Sequence, residues 1–425
     1  MRKYDTYKPS GVEWLGEIPE HWELTKLGTR FLERRSKVSD KDFEPLSVTK
    51  NGVFPQLASA AKSNDGDNRK LVRKGDFVIN SRSDRKASSG ISERDGSVSL
   101  IYIVIEPINI NSTYCNYLLR GYNFVEEFYR MGHGIVADLW TTRYDEMKSI
   151  MVAIPPLQEQ TAIANYLDDK TTKIDQAIAI KQKQIDLLKE RRQILIHKAV
   201  TRGLDENVKF KDSGVEWIGE IPEHWDCTSV KHLLSIPITD GPHTTPILLE
   251  EGIPFISAEA IKNDSIDFSK MRGLISIKNH NLFCQKYKPK LYDIYMVKSG
   301  ATTGNVAMVL EDIEFSIWSP LAVFRAGKKL LPKFLFYALR SPYFRKGVEL
   351  KWSFGTQQNI GMGVLSNLPI AYANINEQKQ IVTFIETATT KIATAISLKE
   401  QEIEKLKEYK MSLIDGVVTG KVKVC

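Results

Sequence analysis

Cysteine is scarce in this 425-residue chain. Cys115, Cys227, Cys284 and Cys425 are scattered and form no CxxC pair. Neither a disulfide framework nor a zinc site is suggested, and reduced thiols are expected. Long apolar runs are lacking: none approaches the ~20 residues a membrane helix needs, so no membrane partner is expected. The opening MRKYDTYKPS has no apolar signal-peptide core, which makes a cytoplasmic location the expectation. The seven histidines make no HExxH or other ligand spacing, so no metal site is expected. No GxSxG and no credible triad order is present.

Two short stretches imitate catalytic motifs and fail on their key residues. KSGATTGNVA (Lys298–Ala307) has the small residues of a phosphate loop but no GK[ST] ending, and Asn305 cannot replace the lysine. SPYF (Ser341–Phe344) is similar to the Asn/Asp-Pro-Pro-Tyr signature of amino-methyltransferases. It begins with Ser, lacks the second proline, and has no Gly-rich cofactor loop beside it. Catalysis by this chain is therefore not expected.

Hydrophobic residues make up 42% and charged residues 26% of the chain. That balance suits a folded soluble protein of two or more domains. The net charge is +7 and the pI about 8.9. A polyanionic partner is compatible with this charge but not established by it.

The chain repeats itself. SGVEWLGEIPEHW at Ser10–Trp22 returns as SGVEWIGEIPEHW at Ser213–Trp225, with Leu15 against Ile218 the single difference. A second marker begins at Glu159 (EQTAIANYLDDKTTKIDQ) and returns without a gap at Glu377 (EQKQIVTFIETATTKIAT). A fainter third matches Tyr117, Arg120 and Phe124 to Tyr337, Arg340 and Phe344. The order is A–helix–A′–helix′, with similar frames and dissimilar middles. Two readers of different things on one scaffold would have this form.

From Leu157 to Val200 there is no Gly or Pro, and apolar residues recur in steps of three and four. Ile174, Ile178, Ile185, Leu188, Leu195 and Ala199 form a heptad seam, matched by Ile392, Ile396, Ile403, Leu406, Leu413 and Val417. Gly203 and Gly416 stand where each helix is expected to end. Lys181 and Lys399, and Arg192 and Lys410, interrupt the seams at matching places. Their long stems either reach solvent or control register. Each helix has the other as its natural partner in an antiparallel coiled coil, although packing along its own domain is equally consistent with the period.

The fold class expected is α+β. Two mixed α/β recognition domains, at 1–155 and 206–372, are separated by helical regions at 156–205 and 373–425, giving a pseudo-two-fold repeat. Strands are expected at Asp76–Asn80, Val98–Glu106, Tyr292–Val297, Asn305–Leu310 and Leu321–Arg325, with helices near Tyr114–Tyr129 and Pro332–Leu339. Loops rich in small and basic residues lie among them: SRSDRKASSG (Ser81–Gly90), DGPHTTP (Asp240–Pro246) and KSGATTG (Lys298–Gly304). Each could be an ordinary polar turn. Corresponding loops in both copies with different letters favour binding, since small residues admit a phosphate chain and basic ones supply hydrogen bonds. The candidate DNA-binding residues are Arg82, Arg85 and Lys86 in A, and His243, Thr244, Lys298 and Thr302 in A′. Arg and Lys can pair with guanine, while some of these residues are expected to touch only phosphate.

These segments together resemble the type I restriction–modification specificity (S) subunit family over nearly the whole chain. YKPSGVEWLGEIPEHW, AIPPLQEQTAIANYL, AVTRGLDENVKFKDSGVEWIGEIPEHW and DGPHTTP…GIPFISAEAIKN each resemble family segments, in the right order. GDFVINSRSDRKASSGIS and KSGATTGNVA resemble parts of target recognition domains. The resemblance implies two target recognition domains, each reading half of a split site on double-stranded DNA, with paired helices as a ruler. It implies a non-catalytic chain that binds no cofactor and recruits two methyltransferase subunits and, through the complex, endonuclease/translocase subunits. S-adenosylmethionine, ATP and Mg would belong to those partners. The alternatives are a stand-alone sequence-specific DNA-binding protein and an unrecognised DNA-modifying enzyme.

Overall fold

The computed structural model describes residues 2–58, 66–134, 140–262, 264–351, 353–354 and 358–424. The chain divides into two compact units. Unit 1 is Met1–Gln182 with Glu400–Cys425, and unit 2 is Lys183–Lys399. Each unit holds one part of both long helices, α3 (Leu157–Arg202) and α6 (Ile375–Val418).

The main sheet of unit 1 is antiparallel. It contains β1 (Phe31–Glu33), β2 (Phe77–Asn80), β3 (Ser89–Ile91) and β4 (Tyr102–Pro107), in the order β3-β2-β4-β1. Alternate residues of a strand point to opposite faces, and here both faces are covered. Phe77, Ile79, Ile103 and Ile105 meet helices α1 (Ser112–Arg120) and α2 (Tyr122–Arg130) through Tyr114, Leu118, Phe124 and Phe128. Val78, Tyr102 and Val104 meet Leu46, Val72 and Val98 on the other side.

Unit 2 repeats this sheet with β5 (Thr239–Asp240), β6 (Ile294–Val297), β7 (Val306–Met308) and β8 (Leu321–Phe324), in the order β5-β8-β6-β7. Ile294, Met296, Ala322 and Phe324 pack on helices α4 (Pro332–Arg340) and α5 (Pro342–Lys351). Tyr295, Val297, Leu321 and Val323 face a second cluster with Ile256, Phe315 and Ile317. The outer layers differ between the units. The three-stranded sheet of unit 2 contains a parallel pair, Phe255 beside Ser316, whereas that of unit 1 is antiparallel throughout.

Several expectations are corrected. The run Val98–Glu106 is not one strand. Gly96–Val98 pairs with Arg69–Val72, a turn follows in which Tyr102 N donates to Ser99 O at 3.1 Å, and β4 then joins the other sheet. The helix expected over Tyr114–Tyr129 breaks at Gly121, whose ψ of 144° is extended, giving α1 and α2. Gly203 does end α3, in a left-handed conformation with φ of +73°. Gly416 instead lies inside α6, which runs to Val418, and Gly420 with φ of +75° makes the turn. By length and composition alone α6 would pass for a membrane span, with an 18-residue window of mean hydropathy 1.2, which does not overturn the expectation of no membrane partner. Its Ile381, Val382 and Ile385 are core residues of unit 2.

No seam residue is exposed. In unit 1, Ile174 and Ile178 share a core with Leu406, Leu413 and Val417. Lys181 Nζ meets Glu402 Oε2 at 2.5 Å, and Lys410 Nζ meets Asp175 Oδ2 at 2.7 Å. As numbers rise along α3 they fall along α6, so the two run antiparallel there. In unit 2, Leu195 and Ala199 pack with Ile381 and Ile385. The seam cations Lys181 and Lys410 are therefore spent on carboxylates of the facing helix.

The repeated sequence is explained by contacts made twice. In unit 1, Trp22 Nε1 donates to Glu159 Oε1 at 3.2 Å, and His21 Nε2 lies 2.8 Å from Glu159 Oε2. In unit 2, Trp225 Nε1 donates to Glu377 Oε1 at 2.9 Å, and His224 Nε2 lies 2.9 Å from Glu377 Oε2. Both glutamates sit in the first turn of a long helix, where the helix dipole favours an anion. The adjacent glutamines share two bonds, and Gln378 Nε2 adds a third to Lys329 O at 2.8 Å. Gln160 bonds Asn111 N and Pro155 O, each at 2.8 Å, and Gln378 bonds Leu331 N and Ala373 O, each at 2.8 Å. Both glutamines are buried.

Replacing Gln378 or Gln160 with Leu would leave at least two buried backbone groups without partners, at roughly 1–3 kcal/mol each. Each variant should lose about 2–5 kcal/mol of stability in urea denaturation, with matching loss of amide protection in its own unit only. A loss below about 1 kcal/mol in either would show that the glutamine is not a structural fastener.

Candidate nucleic-acid interface

The two candidate loops of unit 2 leave the same end of the main sheet. Val297 at the end of β6 pairs with Leu321, and Asp240 at the end of β5 pairs with Ala322. Backbone bonds knit the loops together: Lys298 N donates to Pro320 O at 2.8 Å, and Ser319 N to Pro242 O at 3.2 Å. Gly241 must be glycine, because a Cβ there would lie 1.9 Å from Ile317 O. That approach lets the DGPHTTP loop fold flat over the sheet end.

Asp240 forms the floor of this site. Its side chain is inaccessible to solvent, yet two lysines and a histidine converge on it. Lys286 Nζ lies 2.6 Å from Oδ1, while His243 Nε2 and Lys298 Nζ lie 3.1 and 3.4 Å from Oδ2. The last two stand at ion-pair distance without completing a well-aligned hydrogen bond to Oδ2. Burial pushes the Asp240 carboxyl up, but Lys286 and Lys298 outweigh it and hold the group below the ordinary carboxylate range. His243 and Lys286 project into solvent, whereas Lys298 is 13% exposed. Thr244 and Thr302 are exposed on the rims of their loops. The structure thus brings His243 and Lys298 together on Asp240, adds Lys286, and leaves Thr244 and Thr302 exposed on the same two loops.

In unit 1 the loop after β2 makes a single 3-10 turn at Ser83–Arg85. Arg82 and Arg85 are exposed. Lys86 is committed differently: its Nζ meets Glu126 Oε2 of α2 at 2.6 Å and lies over the Tyr129 ring at 6.0 Å. It lines a cleft of about 800 Å³ with Trp14, Ser83, Glu126, Tyr129 and Arg130. The acids there leave this cleft without the cationic excess of the Asp240 site.

A second strip lies beside each loop, and no sequence reading found it. Arg82 bridges Thr141 in unit 1, and Ser299 bridges Asn359 in unit 2. The two bridges are equivalent, since β2 and β6 occupy the same place in their sheets. His133, also bridged to Thr141, is 78% exposed on this strip. Arg272 is a further missed residue, with its guanidinium 3.9 Å from the Trp318 ring centroid. Nothing in the letters linked Lys286 to Asp240 or Arg272 to Trp318, because each pair spans 46 positions of dissimilar sequence.

Comparison with known proteins gives these features a context. The family model described as "Type I restriction modification DNA specificity domain" matches residues 222–408. The type I restriction enzyme MjaVIII specificity subunit of Methanocaldococcus jannaschii is 25% identical, over 96% of this chain and 94% of that relative. A putative MjaX specificity subunit of the same organism is 23% identical over 96% of each chain. Two solved structures share the fold. One, from work on complex assembly and conformational transition of the type I R-M system, has a TM-score of 0.69 at 16% identity and covers 95% of this chain and 99% of that one. The HsdS subunit from Thermoanaerobacter tengcongensis has a TM-score of 0.54 at 15% identity, covering 95% and 98%.

The charge arrangement makes a pH prediction. An Asp240 pKa lowered in the folded state, against ~3.9 unfolded, contributes stability that is complete above about pH 4 and is lost as pH falls through the folded value. Asp240→Asn should therefore be less stable than the parent at pH 7, with the gap closing as urea denaturation is repeated toward pH 3. A gap independent of pH would mean that the carboxylate charge contributes nothing.

Proposed function

The chain belongs to the family of type I restriction–modification DNA specificity subunits, and from that premise we propose that each unit reads one half of a bipartite duplex site. One observation carries the reading. The same Trp–His–Glu and Gln fastenings are built twice, in units whose loops at equivalent strand ends differ in sequence. A common frame with two contents is what a split, asymmetric site requires.

In this reading Arg82 and Arg85 are the base readers of unit 1. Lys298, His243, Thr244, Thr302 and Lys286 meet the DNA in unit 2, and Lys86 chiefly braces its loop against α2. The paired helices form an antiparallel coiled coil that sets the spacer, and the repeated frame docks two methyltransferase subunits, which in turn bring endonuclease/translocase subunits. The chain itself performs no chemistry. S-adenosylmethionine, ATP and Mg act in the partners, and the complex works in the cytoplasm. Purified alone, the chain should neither methylate nor cleave DNA. Methyl transfer by the chain alone would instead make it an enzyme.

Arg85→Ala should relax discrimination at one base pair of one half-site by ~1–3 kcal/mol, measured as binding to the cognate duplex and to single-base variants. Uniform weakening with an unchanged ranking would make Arg85 a phosphate contact.

The ion pairs show where the ruler is best tested. Lys181 faces Glu402, so heptads inserted after Gln182 and after Lys399 extend both helices close to the same level. One heptad adds ~10 Å, or roughly three base pairs at ~3.4 Å each. Sites methylated by the variant with its partner should have a spacer longer by about three base pairs, and two-residue insertions should abolish recognition. A folded, active heptad variant that keeps the original spacer would sink the ruler.

A further inference from the structure

Away from the Asp240 site, unit 2 contains a cleft of about 490 Å³ lined by Arg192, Lys262, Asp264, Asn305, Arg340 and Arg345. Four of these six side chains are cationic and one is anionic. Arg340 is 9% exposed and pairs with Asp264 Oδ2, which Arg192 Nη2 also approaches at 3.4 Å. One carboxylate thus serves two guanidinium groups. Arg345, 55% exposed, pairs along its own helix with Glu349 at 3.1 Å. Arg192 Nε is buried with no partner among the described residues. Burial, opposed by Asp264, lowers the Arg340 pKa, as for a cation held where charge is poorly solvated. Asp264 stands at the tip of the hairpin that pairs Lys262 with Ser265, and its φ of +72° is the left-handed conformation that such a turn uses.

Among the described residues, unit 1 has no such arrangement. Arg120, the counterpart of Arg340, gives its Nη2 to Lys50 O at 2.7 Å. Lys410, the counterpart of Arg192, is neutralised by Asp175. The excess charge is therefore particular to unit 2. The cleft also adjoins the KSGATTG loop, since Asn305 follows Gly304 directly.

We propose that this cleft is a phosphate site, in which Arg192 and Arg345, aided by Lys262, grip one phosphate group while Asp264 and Arg340 hold the cradle. Planar guanidinium groups suit bidentate phosphate binding. The phosphate comes either from the duplex backbone flanking the half-site read by unit 2 or from a free phosphorylated molecule. The first source rests on the function proposed above, and the second does not.

The test uses the full-length chain and the variants Arg192→Gln and Arg345→Gln. Folding of each is checked by circular dichroism, and Arg345, on the surface, provides the milder change. Duplex affinity is measured across a salt series, with single-base variants of the site. Thermal stability is measured with inorganic phosphate against chloride at equal ionic strength. For a backbone contact, each variant lowers the steepness of log affinity against log salt by about 0.9 and leaves the ranking of base variants unchanged. An unchanged salt slope, with a phosphate-induced thermal shift that either variant abolishes, supports the site and assigns it to a free phosphorylated ligand. If the chain binds no duplex yet shows that shift, the DNA-reading function fails while the phosphate site stands. An unchanged slope with no phosphate-specific shift overturns the proposal, and so does an altered ranking of base variants, which would make these residues base readers.

Discussion

A glutamate in the first turn of each long helix is the point on which the architecture hangs. Glu159 and Glu377 each collect an indole N–H and a histidine ring nitrogen from the segment that opens the neighbouring mixed fold. The helix end supplies partial positive charge to an anion there, and the bulk of Trp22 or Trp225 closes the core beside it. Because the indole is fully buried and the carboxylate largely shielded, neither of these two can change alone without leaving a polar group stranded, while the histidine ring stays about half exposed. That constraint accounts for GEIPEHW surviving twice in a chain whose middles have diverged.

The diverged middles still solve common problems, sometimes by different routes. Asp76 and Asp293 precede equivalent strands and are both almost wholly buried. Asp76 is neutralised by Arg34, which follows β1 at the sheet edge, with Nε 2.6 Å from Oδ2. Asp293 is neutralised by Arg325, which follows β8 next to β6, with Nε 2.6 Å from Oδ1. The buried carboxylate requires a guanidinium, but not one from any particular strand. A sheet held together in this way can change its loops while its interior electrostatics remain satisfied.

What the sequence disclosed follows the same division. The long helices were legible because the apolar period persists without Gly or Pro, and the twofold frame because its letters repeat. The break at Gly121 was not, since one glycine is tolerated in a helical pattern until tertiary contacts decide. The split of Val98–Glu106 was hidden because a continuous apolar run does not reveal which sheet each part joins. In the candidate site, loop composition pointed to Arg82, Arg85, His243 and Lys298. It missed Lys286, Arg272 and the Asp264 pair, whose roles arise from contacts across tens of residues. It also could not show that Lys86 would be drawn into α2 by Glu126.

The segmentation of unit 1 has a consequence for biosynthesis. Unit 2 is one uninterrupted stretch, Lys183–Lys399, whereas unit 1 joins Met1–Gln182 to Glu400–Cys425. Leu413, Val417 and Val418 fill the core around Trp22, and the Lys423 N–H bonds back to Arg2 O at 2.9 Å. A nascent chain emerging from the ribosome can complete the second unit while the first still awaits its last helix turns. The usual order, in which the earliest segment folds first, cannot hold for a unit that needs Glu400–Cys425 to close its core. Until those turns are made and docked, the apolar face prepared for them stays open, a window in which a chaperone or an early-binding partner would find its strongest hold.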